Sequence, residues 1–186
     1  MDQVTCPLRI QKACLKAAGA FFVFVACTRI VAAQGPSEYQ LKAAFLMNFT
    51  RFVDWPPSAF NSPASPITIC VLGENPFGSD LDQLVEGETV KGRKVVVERL
   101  RQPPSPKSCQ LLFAGKSEMQ ISALLSGLGP GVLTVSDRDR FLLEGGMIAL
   151  VNEGKHVRFD VNQRAALRAS LTISALLLNA ARSVQR

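Results

Sequence analysis

Leu133-Thr-Val-Ser-Asp137, Gly146-Met-Ile-Ala-Leu-Val151 and His156-Val-Arg-Phe-Asp-Val-Asn162 are the segments that decide how the rest of this 186-residue chain must pack. Met147 to Val151 is apolar at every position, whereas Val157, Phe159 and Val161 alternate with His156, Arg158 and Asp160. An unbroken apolar strand is covered on both faces and an alternating one on a single face. Between them, Asn152-Glu-Gly-Lys155 reads as a hairpin turn in which Gly154 can take positive φ without steric cost. Asn162 then serves as an N-cap, and Ala166, Leu167, Ser170, Leu171, Ser174, Leu177, Leu178 and Ala181 recur at spacings of three and four. This pattern predicts one long closing helix over the sheet.

Working back toward the N-terminus, Ser37 with Gln40 three residues later is a capping-box pattern. The helix it begins would line its inner face with Leu41, Ala44, Phe45, Asn48, Phe49 and Phe52 until Pro56-Pro57 stops it. Trp55, just past that helix, reads as a lid on the core. Ile67 to Leu72 is a buried strand, and Ser79 with Asp82 would start a short helix after it. Further strands are expected at Arg93–Leu100, Gln110–Ala114 and Val132–Val135. Ser117 with Gln120 would cap a helix carrying Ile121, Leu124, Leu125 and Leu128, which Gly129-Pro130 ends. Alternating strands and helices imply an α/β fold with a mostly parallel sheet flanked by helices. Here that sheet ends in the antiparallel hairpin and the long C-terminal helix.

The first 33 residues read as a signal peptide, with Arg9, Lys12 and Lys16 before the apolar run Ala17 to Ala26 and small residues at Val31-Ala-Ala33. Cleavage before Cys27 would instead make a lipoprotein, but Phe24-Val-Ala26 fits that signal poorly. Cutting after Ala33 leaves 186 − 33 = 153 residues, and 37–186 then form a single domain that buries about 70% of its unfolded surface. The leader holds four basic residues and one acidic, so the net charge of +6 falls to +3 in the remainder. Lys91, Arg93, Lys94, Arg99 and Arg101 read as a solvated rim around a strand, and export argues against nucleic acid as a partner. Three of the five cysteines lie in the leader, leaving Cys70 and Cys109. In an oxidising compartment such a pair forms a disulfide. Bonded, it makes the first and third strands neighbours and suggests the order 2-1-3-4 of doubly wound folds.

Catalysis lacks its usual parts. His156 is the only histidine, so Ser-His or Cys-His chemistry could form only around that residue. One histidine and two bonded cysteines cannot build a usual zinc site, and Asp137, Asp139 and Glu144 lack the spacing of a calcium loop. Asp137-Arg-Asp-Arg140 reads as a charged solvent loop. The turn Gly73-Glu-Asn-Pro-Phe-Gly78 lacks the glycine spacing that lets backbone approach a pyrophosphate. The chain therefore reads as no enzyme and needs no cofactor or metal, although an enzyme using only carboxylates would leave no sequence signal.

Five blocks in one order resemble the YfiR family of small periplasmic regulators: "EYQLKAAFLMNFTRFVDWP" from Glu38, "ITICVLGENPFG" from Ile67, "VLTVSD", "FLLEGGMIALV", and "HVRFDVN" with "ASLTISALLLNAAR". The resemblance implies a periplasmic binding protein that represses an inner-membrane diguanylate cyclase by holding its periplasmic part, which lowers cyclic-di-GMP. It also implies release by an outer-membrane OmpA-like lipoprotein. The alternative is a periplasmic small-molecule sensor or carrier that uses the cleft outside the carboxyl ends of the strands. A homodimer through apolar surface is a further expectation.

The partner surface is expected on the hairpin and the start of the closing helix. Met147, Ile148 and Leu150 cannot all face one side of a strand, so apolar area is either covered by helices or left for a partner. Arg158, Asp160, Arg164 and Arg168 would supply its polar rim, with Arg158 also able to pair with Asp160 along one face.

Overall fold

Helix α1 (Glu38–Phe52) starts where the sequence places it, with the Ser37 hydroxyl accepting from the Gln40 N–H and the Gln40 side chain accepting from the Ser37 N–H. The computed structural model describes residues 35–154 and 156–186, and the signal peptide expected over 1–33 lies outside them. After α1 come β1 (Val53–Asp54), a 3-10 turn at Pro57–Ala59, β2 (Ile67–Leu72), α2 (Asp80–Val85), β3 (Thr89–Val90), β4 (Arg93–Leu100), β5 (Leu111–Ala114), α3 (Ile121–Gly127) and β6 (Leu133–Ser136). The hairpin strands are β7 (Ile148–Glu153) and β8 (His156–Asn162). The C-terminal segment holds α4 (Gln163–Arg168), β9 (Thr172–Ile173), α5 (Ala175–Ala180) and β10 (Ser183–Gln185).

An eight-stranded sheet runs in the order β10-β8-β7-β6-β5-β2-β4-β3. Strands β4, β2, β5, β6 and β7 are mutually parallel, and β8 returns antiparallel to β7. The expected 2-1-3-4 order is present as β4-β2-β5-β6. Helices and loops cover both faces, so side chains alternate between two apolar clusters. Ile69 and Val71 join one, with Leu111, Phe113, Ile148 and Leu150; Cys70, Leu72, Leu112 and Ala149 join the other. On the first face α1 packs on the hairpin, where the rings of Phe45 and Phe49 lie 5.6 and 5.3 Å from that of Phe159. Trp55 is half-buried and donates its indole N–H to the Gln110 carbonyl at 2.9 Å, closing one end of that core.

The long closing helix does not form as one piece. The Asn162 side chain caps α4 by accepting from the Ala165 N–H at 3.0 Å, but the chain leaves the helix at Ala169, and Ser170 takes φ 60°. Thr172 and Ile173, β-branched and favoured in strands, pair antiparallel with β1. The Ser174 hydroxyl then caps a second short helix by accepting from the Leu177 N–H. The spacing of Leu171, Ser174, Leu177 and Leu178 is real, yet tertiary pairing with β1 overrides helical continuity.

Two other helix expectations also change. Ser79 and Ser117 make no cap, α3 begins at Ile121, and Asp82 pairs with Arg99 instead of capping. The inner face of α1 is Lys42, Ala43, Leu46, Met47, Phe49 and Thr50, whereas Leu41, Ala44, Phe45 and Phe52 are only half-buried and Asn48 is exposed. The basic rim is partly engaged: Lys91 pairs with Asp54, and Arg93 stacks 3.7 Å over the Phe60 ring. Gly146 is required sterically, because a Cβ there would meet the Phe141 ring at 2.2 Å.

Cys70 of β2 is bonded to Cys109, which lies just before β5, with Cα atoms 6.0 Å apart and a sequence separation of 39. Both are buried in the second apolar cluster. Closing a loop of this length lowers the entropy of the unfolded chain by an amount worth about 4 kcal/mol on the chain-entropy model. Replacing both cysteines with serine is therefore expected to remove about 3–4 kcal/mol of stability, read from urea denaturation of oxidised wild type and variant.

Candidate functional site

Lys42, in the second turn of α1, is among the largest fully buried side chains of the described residues. Its ammonium group donates to Asp137 Oδ2 at 2.6 Å and also pairs with Glu38, one turn earlier. Asp137 follows directly on β6, and both side chains of this pair are 1% exposed. The Tyr39 hydroxyl donates to the same Oδ2 at 3.1 Å, and the Tyr39 ring lies 4.5 Å from the Lys42 ammonium. Helix α1 is thus fastened to the carboxyl end of a central strand by two donors on one oxygen. The solvent loop expected at Asp137-Arg-Asp-Arg140 is corrected at its first residue. Asp137 is core because Lys42 neutralises it, while Asp139 and Arg140 are exposed.

Burial, then the negative charge of Asp137, raises the Tyr39 phenol to about 12. Glu38 is held below the usual carboxylate range by hydrogen bonds from the Asn152 side chain and Lys42. These shifts reflect a structural cluster that joins α1, β6 and the hairpin. The sequence signal for it was a lysine at a core-facing spacing, Lys42 lying four residues before Leu46 and seven before Phe49.

A ligand reading would look to the point where strand order reverses, outside β2 and β5. There Phe77, on the turn after β2, is buried with its ring 4.8 Å from Phe113 and 5.7 Å from Tyr39. Aromatic side chains fill the position. Among the described residues, no group of three His, Cys, Asp or Glu side chains could hold a metal ion, and no helix is long and apolar enough to cross a membrane.

The residues expected at a partner surface separate into three sets. Met147, Ile148 and Leu150 are buried in the core cluster, so of the two alternatives for the apolar area of the hairpin the structure shows the covered one. Asp160 is also buried, and it does not pair with Arg158. The guanidinium of Arg182 grips it with a 2.9 Å bond from Nε and a 2.5 Å bond from Nη2, and also reaches Glu153. That grip holds the Asp160 carboxyl below its usual range. It also fastens the start of β10 to β8, beside the bond from the Arg182 N–H to the Phe159 carbonyl. Arg158, Arg164 and Arg168 are exposed, and Arg164 donates to the Arg186 carbonyl at 2.6 Å. Arg168 and Met147 meet again as walls of one groove between α3 and α4.

The model of a family described as YfiR/HmsC-like matches residues 39–182. The chain belongs to that family. No curated protein matches it. The matched span runs from Tyr39, in the Lys42 cluster, to Arg182, the residue that grips Asp160, so it contains both the Lys42–Asp137 pair and the Arg182–Asp160 grip.

Converting Lys42 to Met removes the only cation within the Asp137 pair and leaves a buried carboxylate uncompensated, a change expected to cost about 3–5 kcal/mol. Adding Asp137→Leu should recover most of that loss, because replacing both charges with apolar groups removes the desolvation problem. Urea denaturation of the two variants and wild type at neutral pH measures both effects. A double variant no more stable than Lys42→Met would mean that the pair is not the source of the loss.

Proposed function

We propose that the protein is a non-catalytic periplasmic regulator that represses an inner-membrane diguanylate cyclase by binding its periplasmic part, lowering cyclic-di-GMP. Family membership supports this reading, since YfiR-like proteins act on such cyclases. The leader at 1–33 would export the chain, and the Cys70–Cys109 disulfide suits an oxidising compartment. An outer-membrane OmpA-like lipoprotein would release the cyclase by sequestering the regulator. Self-association through exposed Leu143, Leu167 and Leu176 belongs to the same reading.

One observation carries the proposal to particular residues. Arg158 on the hairpin and Arg164 and Arg168 on α4 are three exposed guanidinium groups in the C-terminal segment, and among the described residues none forms a salt bridge. Arg164 is held by the Arg186 carbonyl, but Arg158 and Arg168 make no side-chain hydrogen bond among the described residues, and such exposed arginines suit the polar rim of an interface, where Arg is enriched. Arg158→Ala and Arg168→Glu should leave folding and melting nearly unchanged, since surface substitutions of this kind shift stability by about 0.5 kcal/mol or less. In cells, both should raise cyclic-di-GMP toward the level of a strain lacking the regulator. Folded variants that repress as fully as wild type would exclude these arginines from the contact.

A further inference from the structure

A groove of about 400 Å³ lies between the end of α3 and α4, away from the hairpin turn and from the Lys42 cluster. Leu125, Leu128, Pro130, Val132, Met147 and Ala165 supply its apolar lining, with Thr134 and Arg168 among the polar groups. Arg168 is the single charged residue among them, exposed and outside any salt bridge among the described residues. Leu167, next to Arg168, is 59% exposed. Several wall residues are themselves solvent-facing: Gly129, Pro130, Gly145 and Arg168 are exposed, and Leu125 and Leu128 are half-buried. A small molecule here would keep one side in water, whereas a protein segment lying over the groove would cover both the apolar walls and Leu167.

We propose that this groove receives a segment of the cyclase's periplasmic part that presents a large apolar side chain beside an Asp or Glu. The inference rests on the regulatory reading above and names the contact within it. The apolar side chain enters between Leu125, Leu128 and Met147, and the carboxylate meets Arg168 at the rim. Charge complementarity fixes the orientation, because Arg168 is the one charge the walls supply and its guanidinium is not engaged elsewhere among the described residues. This arrangement, an apolar anchor in a pocket with a charged group at its edge, concentrates binding energy at the centre of an interface.

Gly129 gives a clean test. It lines the groove, its φ is not positive, and a Cβ added there meets no heavy atom within 4 Å, so Gly129→Trp places a ring over the groove without strain in the backbone. Binding of the purified, disulfide-intact regulator to full-length cyclase in detergent would be measured by biolayer interferometry for wild type, Gly129→Trp and Arg168→Glu. Circular dichroism confirms the fold of each, and either variant alone carries the test if the other misfolds. Both variants are expected to weaken binding about tenfold or more. Wild-type binding with both folded variants unchanged overturns the groove contact and leaves the regulatory reading standing. Failure of the wild type to bind the cyclase overturns that reading and the groove contact together. A third arm uses sodium laurate as a small amphiphilic anion: uptake blocked by Gly129→Trp, with cyclase binding unaffected by either variant, assigns the groove to a small ligand and overturns a protein occupant.

Discussion

The buried pair between Lys42 and Asp137 is the constraint around which this molecule is arranged. A lysine in the middle of an amphipathic helix ordinarily points to water, and burying it alone is strongly unfavourable. Here Asp137 waits at the carboxyl end of β6, so the ammonium group enters the core with its charge matched. The consequence is rotational: α1 turns to bring Lys42, Leu46 and Phe49 to the sheet, and the ring pair Phe45 and Phe49 follows onto Phe159 of the hairpin. Helix, central strand and hairpin are fixed together from one point.

A second fastening works at the far end of the chain. Strand β9 pairs with β1, directly after α1, and Arg182 locks β10 onto β8 through Asp160 and Glu153. Both ends of the described chain therefore close on the same hairpin. Acid would loosen this end at Asp160: its carboxyl is depressed in the fold, so its contribution is present above the unfolded value and is lost as pH falls through the folded one. The apolar hairpin residues Ile148 and Leu150 are covered in the core, whereas Met147, 8% exposed, lines the groove beside α4.

Much of this was legible in the residues. The apolar run at Met147 to Val151, the alternation at Val157 to Val161 and the cysteine pair gave the hairpin, the strand order and the disulfide, because each depends on local periodicity or on compartment. Ser37 and Asn162 cap as their spacing implies. What failed depended on distant partners. Nothing near Lys42 in sequence announces Asp137, 95 residues away, so the local pattern singles out no role for the lysine and reads the aspartate as part of a loop. The closing helix was misread because Leu171 to Ser174 satisfies helical spacing as well as strand pairing, and only the presence of β1 decides between them. Arg158 and Asp160 lie two apart on one strand, yet Asp160 is claimed by Arg182 from the end of the chain. Met147 and Arg168 line one groove between helices and do not lie together along the hairpin.

Tyr39 offers the most direct test, since it is the only tyrosine in the chain and its hydroxyl donates to the carboxylate that holds Lys42. Its neutral form is favoured in the fold, so its contribution to stability is complete below about pH 10 and declines as pH rises toward 12. The measurement is a spectrophotometric titration of the phenolate band, with circular dichroism recorded on the same samples to verify that the protein is folded at each pH. A midpoint near 12 in folded protein is the result this structure requires. A midpoint at the ordinary value of 10.0 would mean that the Tyr39 hydroxyl does not lie against the Asp137 carboxylate and that the cluster around Asp137 is not closed as described.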